Sequence, residues 1–402
     1  MSSEMPEGWQ TRAFSDAVAI NPKRSLPSSG AVPFLDMASL PLHGRAVQAV
    51  DTRPVSSGGS KFQAGDTLFA RITPCAENGK LGFVSDVVGG RVAQGSTEFL
   101  VMGPREGTTI PEYVRWLSGW SYVRDHAIGL MEGTSGRQRI PVWAFDEIEI
   151  GVPPLDEQRR IAEILQSVDE AIAAKQATLS ATKQFKRSCR EAAVQRFRDC
   201  ALTPLEAVLA SIDAGWSPDC ASEAAGDGEW AILKTSAVVW EGYDDSENKR
   251  LPDHLKPRPQ LEVTVDDILI TRAGPAERTG VVAIVRETAG RRMLSDKIIR
   301  LRVSPARAVP LAIAELLSSD HVQAELIRSK SGMAASQTNI SQKIMLGLKM
   351  HLPPLADQKD FADEMTTLQD AIEMGEADLN DAQRLKAALM SDLLSGRVRV
   401  PK

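Results

Sequence analysis

The chain has 402 residues, of which 43% are hydrophobic and 25% charged, with a formal net charge of −6. That length accommodates two or three domains with real cores; no apolar run approaches the ~20 residues of a membrane span, and no basic stretch followed by an apolar run marks a signal peptide. The acidic balance does not advertise nucleic-acid binding, so a DNA-binding face would have to be assembled by the fold or completed by a partner.

Residues 1–150 read as mixed α and β. The stretch 20–60 is rich in Pro, Gly and Ser and reads as loop. Short apolar segments at 66–71 and 81–84 read as strands, with 74–79 as the turn between them, and 98–102 is a third candidate strand. Residues 111–128 predict a helix with Tyr113, Trp116, Leu117 and Trp120 on one side. Between Gln158 and about Arg198 there is neither Pro nor Gly. Core positions there step by four and three: Ile161, Leu165, Val168, Ile172, Lys175, Leu179, Thr182, Lys186, Cys189, Ala193. That 3.5-residue period is the signature of a coiled-coil seam. Strands are then expected at 268–271, 281–285 and 298–303, a loop-rich stretch at 215–260, and a helix over about 311–327. A second seam runs Phe361, Met365, Leu368, Ile372, Gly375, Leu379, Ala382, Lys386, Leu389, Leu393, and Gly396 is a plausible helix stop. Each long helix follows a Pro-Pro and has acids in its first turn, Asp156 and Glu157 or Asp357 and Asp360, as a helix N-terminus favours.

These elements repeat at a period of 200 residues, which indicates duplicated domains. Without a gap, Pro153, Pro154, Leu155, Gln158, Ala162, Ala171, Ile172, Ala177, Leu179 and Lys186 each recur 200 positions later. At an offset of 201, Asp66-Thr67-Leu68 meets Asp267-Ile268-Leu269, Pro74 meets Pro275 and Gly79 meets Gly280. The segment ending at Ile140 meets the one ending at Ile340. The order is globular, helical, globular, helical, with boundaries at 1–150, 151–199, 200–350 and 351–402. Mutual pairing of the two helices is favoured over each helix packing on its own globular unit. A whole unit lies between them, so the pairing is expected to be antiparallel, with a pseudo-two-fold axis. A rod of forty residues spans ~60 Å. The stretches 20–60 and 215–260 differ between the copies, as two recognition domains of different specificity would, and also as drift after duplication would.

The sequence patterns of the common catalytic sites are incomplete in this chain. Gly79-Lys80 lacks both the following Ser/Thr and the upstream glycine of a phosphate-cradling loop. The Pro-Pro pairs follow Val152 and Leu352, whose side chains cannot hold a target amine as an amino-methyltransferase requires. The five histidines, His43, His126, His254, His321 and His351, have neither metal nor triad spacing. Asp66 and Asp267 precede strands and read as turn-formers. Cys75, Cys189, Cys200 and Cys220 read as free thiols in a reducing cytoplasm.

A Pro-Pro-Leu-x-x-Gln entry to a long helix, occurring twice, resembles the specificity subunit of type I restriction-modification enzymes. So do the Gly-Asp-x-Leu-type strand ahead of it, Glu7-Gly8-Trp9 near the start and Leu393-Leu394-Ser395-Gly396-Arg397-Val398-Arg399-Val400 at the end. The resemblance implies an α+β, multidomain fold: two mixed target-recognition domains joined by two long helices in an antiparallel coiled coil. Each domain would bind one half of a split, asymmetric site on double-stranded DNA, while the coiled coil sets the spacing and docks methyltransferase subunits. It also implies a subunit without catalytic activity of its own. Two modification subunits would bring S-adenosylmethionine, and a restriction subunit would bring ATP and Mg; the chain itself would bind no cofactor and no metal.

Candidate DNA contacts are Lys61, Arg71, Lys80, Thr134, Ser135, Arg137, Gln138 and Arg139 in the first unit. Their counterparts in the second are Arg272, Arg278, Lys330, Ser336, Gln337, Thr338 and Asn339. Arg can bind guanine edges bidentately, Asn or Gln can do so with adenine, and most other contacts go to phosphate. For Arg139 and Asn339 a cap or turn role competes evenly. Arg159, Arg160, Lys183 and Arg187 form a candidate docking face on the first helix. Two other readings stand beside this one: a duplicated coiled-coil scaffold with no DNA role, and an enzyme with fused recognition domains.

Overall fold

The computed structural model describes residues 5–334 and 337–401. It forms two compact units, Met1–Gln176 with Ala377–Lys402, and Ala177–Glu376. Each unit therefore holds one globular stretch together with half of each long helix, Leu155–Arg196 and Leu355–Ser395. The units divide inside the helices because the helix ends are packed into the domain cores.

In the first unit a five-stranded sheet runs in the order Val18–Ile20, Phe99–Pro104, Thr67–Ala70, Leu81–Phe83, Arg45–Ala46. Phe99 lies opposite Ala70, and Thr67 opposite Phe83, in antiparallel register. Thr67–Ala70 is buried at every position, so both faces are covered and strand alternation sorts its side chains between two cores. Phe69, Leu100 and Met102 join Tyr113, Trp116 and Leu117 in one core. Leu68, Ala70, Phe99 and Val101 join Leu35, Phe62 and Ala93 in the other. Those last three belong to a second sheet, in the order Asp51–Pro54, Ala31–Leu35, Ala93–Gly95, Ser60–Phe62. The stretch 20–60 is thus partly strand rather than loop. Pro33 obscures this in the sequence, and it is tolerated because strand pairing at that residue runs on one side only, to Thr52.

The second unit repeats the central arrangement. Its main sheet runs Leu209–Ala214, Ile298–Val303, Ile268–Thr271, Val282–Ile284, with Ile268 opposite both Leu301 and Ile284. Ile268, Ile270, Ile299 and Leu301 face one core, and Leu269 and Ile298 the other. Within 215–260, Ala231–Leu233 pairs with Asn248–Arg250, and also with Arg292–Met293. The expected helices over 111–128 and 311–327 are each two helices: Pro111–Gly119 with Ser121–Gly129, and Pro310–Leu317 with Asp320–Ser329. Trp120 and Ser319 take extended backbone at the breaks, which follow the weak helix formers Gly119 and Ser318.

Inside each unit the helix halves run antiparallel. In the first, Lys386 pairs with Asp169, and Lys175 Nζ lies 3.0 Å from Asp378. In the second, Lys183 pairs with Glu376 at 2.6 Å, Lys186 bonds Gln369 at 2.8 Å, and the Phe197 and Phe361 rings meet edge to face at 5.8 Å. The 3.5-residue seam is visible in burial: Ile161, Leu165, Ile172, Phe361, Met365, Ile372 and Leu393 are buried, while Val168, Leu179, Leu368, Leu379 and Leu389 are half-buried. Pairing and domain packing are not alternatives, because the same residues do both. Ile161, Leu165 and Leu393 lie in the core with Trp116, and Ala193, Phe361 and Met365 lie in the core with Leu316. Lys175 departs from the pattern; it is exposed and reaches an acid instead of filling the seam.

Candidate nucleic-acid interface

The repeated glutamine shows how each long helix is anchored to its domain. Gln158, fully buried, accepts the Ile110 N–H at 3.1 Å and donates to the carbonyls of Thr108 (2.7 Å) and Pro153 (2.9 Å). Gln358 accepts the Val309 N–H at 2.9 Å and donates to Pro353 O at 2.8 Å. Each glutamine satisfies an N–H that would otherwise be orphaned at the start of the neighbouring domain helix. Replacing either by alanine should destabilise its unit by about 1–3 kcal/mol, read in denaturant unfolding, because buried backbone groups lose their partners.

The acids ahead of the central strands do equivalent work. Asp66 accepts the Gln63 N–H and an Arg24 guanidinium, and Asp267 accepts the Thr264 N–H and Arg302. Burial pushes the Asp66 carboxyl above its usual range, against the pull of Arg24. Both are turn-closing groups, as their sequence positions suggest.

The chain termini also meet within the first unit. Glu157, 3% exposed, accepts the Trp9 indole N–H at 3.1 Å and two bonds from Arg399, at 2.7 and 2.8 Å. Glu157 is therefore more than a first-turn acid. The pairing joins the two end motifs, which are far apart in sequence.

Apart from Lys61, the described candidate DNA residues gather on two backbone segments that are adjacent in each unit. In the first, the loop after Thr67–Ala70 lies beside a hairpin: Ile72 bridges Arg139, Glu132 bridges Arg139, and Thr73 N donates to Gln138 O. Ile140 N donates to Arg71 O at 2.8 Å, and Ile340 N donates to Arg272 O at the same distance. In the second, Ala273–Gly274 pairs with Gln337–Asn339, which pairs with Ser331–Ala334. The offset repeat thus located two segments that the fold places side by side.

Within that frame the side chains differ in availability. Thr134, Ser135 and Arg137 are exposed on the hairpin tip, and Gln138 is half-buried. Arg71 is half-buried, and its Nε has no hydrogen-bond partner among the described residues. Arg139 forms a double bond pair with Glu98, whose carboxylate holds the guanidinium above its usual pKa. Lys80 Nζ donates to Met37 O (2.7 Å) and Ala38 O (2.8 Å). Lys330 Nζ donates to Ala276 O at 2.9 Å, and burial pushes its ammonium down. Arg278 donates to Thr235 O at 3.4 Å, and Thr338 Oγ1 lies 2.9 Å from Thr279 Oγ1. Asn339 is exposed and pairs through its backbone with Ala273. Arg272 is half-buried. Lys61 lies on the other sheet, opposite Gln94. Ser336 and the side chain of Gln337 lie outside the described residues. On the helix, Arg159 pairs with Asp156, Lys183 with Glu376 and Arg187 with Asp320, while Arg160 is half-buried.

Among the described residues no cluster of three His, Cys, Asp or Glu side chains could hold a metal, and no helix is long and apolar enough to cross a membrane.

The family model for the type I restriction modification DNA specificity domain matches residues 130–183, from the hairpin through Pro153-Pro154 into the long helix. The specificity subunit of the type I restriction enzyme EcoEI from Escherichia coli is 28% identical over 88% of this chain and 76% of its own length. That of StySPI from Salmonella potsdam is 22% identical over 98% of this chain and 89% of its own. A chain solved in work on complex assembly of the type I R-M system has the same fold, with a TM-score of 0.61 at 16% identity, covering 98% of this chain and all of that one. The S subunit from M. genitalium gives 0.55 at 11% identity, over 98% of this chain and 97% of that one. In its matched segment and over most of its length the chain is thus similar to specificity subunits of type I restriction-modification systems, and it shares their fold.

Proposed function

We propose that each globular domain reads one half of a two-part, asymmetric sequence in double-stranded DNA, through the loop after its central strand and the hairpin beside it. The observation that carries this reading is a shared frame with different side chains. The same backbone bond ties Ile140 to Arg71 and Ile340 to Arg272. Around it stand Thr134, Ser135, Arg137 and Gln138 in one copy, and Gln337, Thr338 and Asn339 in the other. Arg137 and Arg71 suit guanine edges or phosphates, and Asn339 suits adenine. The long helices make the interval between half-sites a matter of length rather than base sequence.

The chain supplies reading and no chemistry. S-adenosylmethionine is held by two modification subunits docked on the helices, and ATP with Mg by a restriction subunit. The net charge of −6 makes tight DNA binding depend on those partners enclosing the duplex. The test is an electrophoretic shift with the cognate methyltransferase present. Retention of one two-part sequence over scrambled DNA is expected, and binding that ignores sequence, or no retention, overturns the reading. In that complex Arg137→Ala should weaken binding roughly tenfold. Unchanged affinity would remove Arg137 from the interface.

A further inference from the structure

The lysine repeated at 186 and 386 sits in a buried ionic network in both units, but the networks have opposite polarity. In the first unit Lys386 pairs with Asp169, and its Nζ lies 5.1 Å from the centre of the Trp116 ring. Arg115, 7% exposed, donates to Asp169 (3.1 Å), Gln166 (2.6 Å) and Gly44 O (2.6 Å). In the second unit Lys186 bonds Gln369 and Glu315, each at 2.8 Å, and Arg190 bonds Glu315 at 2.7 Å. Glu315 is 5% exposed. Arg115 and Glu315 come from the equivalent domain helices, one position apart when the opening prolines Pro111 and Pro310 are aligned. The domain thus presents a cation in one unit and an anion in the other. The helices answer in kind: at the repeat distance of 200, Asp169 becomes Gln369, and Arg190 becomes Met390.

We propose that these networks are a placement code, which makes each globular domain fit only its own pair of helix segments. The duplication creates the problem that the code solves. The glutamine anchors are shared by both units, and the seams, although their side chains differ in size, are apolar at most positions in both, so neither sorts the domains by charge. Buried charge does, because an unpaired ion there is costly while an exposed one is not. The first domain seated on 177–196 and 355–376 would set Arg115 against Lys186 and Arg190, with Gln369 in place of its acid. The second domain seated on 155–176 and 377–395 would set Glu315 against Asp169, with Met390 where Arg190 should be. This inference does not rest on the DNA reading and can fail or stand without it.

The test uses the full chain. Glu315→Arg should lower the unfolding midpoint of the second unit by roughly 10 °C. Adding Gln369→Asp and Arg190→Met, which gives that network the polarity of the first unit, should restore at least half of the loss. Stability of Glu315→Arg equal to the parent overturns the code, and so does a triple variant that recovers nothing. If Glu315→Arg yields too little folded protein to melt, the triple variant decides alone: recovery of folded chain supports the code, and its absence overturns it.

Discussion

Phe361→Ala should lose about 3–5 kcal/mol of stability in the second unit, enough to unfold a marginal domain. Phe361 is fully buried near the start of the second long helix, stacked edge to face on Phe197, in the same core as Met365, Leu205 and Met350. Its removal opens a cavity where both long helices and the domain sheet converge, and it also forfeits an aromatic pair. Phe185→Ala is the control: that ring is 59% exposed, and its loss should change stability by no more than about 0.5 kcal/mol. Denaturant unfolding measures both. Equal effects would mean that the long helix does not belong to the domain core.

Arg300→Leu should cost about 3–5 kcal/mol, although it exchanges a charged residue for an apolar one. Arg300 is 2% exposed on the strand Ile298–Val303. It donates to Asp213 (2.9 Å), Glu262 O (2.8 Å) and Gln260 O (3.1 Å), and stands 3.6 Å from Asp267, itself nearly buried. Leucine leaves two carbonyls and a carboxylate without that partner, and Arg302 still holds Asp267 from the other side. Arg302, far more exposed, should cost much less when replaced. Equal losses in the two leucine variants would contradict the role of burial.

The sequence shows most where one interaction repeats at fixed spacing. The 3.5-residue seam and the twice-used Gln158 and Gln358 are legible because helix packing imposes a period, and because duplication preserves an anchor. The repeat marks both segments, Arg71 recurring 201 positions on and Ile140 200 positions on, but only the fold shows that they meet. Other features depend on contacts between residues distant in sequence. Glu98 captures Arg139 from 41 positions away, and Met37 and Ala38 carbonyls capture Lys80, so charge alone does not reveal which cations are available. Trp9 and Arg399 belong to separate end motifs and Glu157 to the first turn of a helix, and only the fold joins them. The strands Ala31–Leu35 and Asp51–Pro54 carry prolines and no alternation, and only their pairing reveals them.

The most direct measurement is a genome-wide map of methylated adenines with the cognate methyltransferase present, comparing the chain, its absence, and a variant whose residues 1–150 are replaced by another recognition unit. The account predicts methylation at a two-part sequence only when the chain is present, and a change in one half alone in the variant. Methylation that persists without the chain, or a variant in which both halves change, would contradict it.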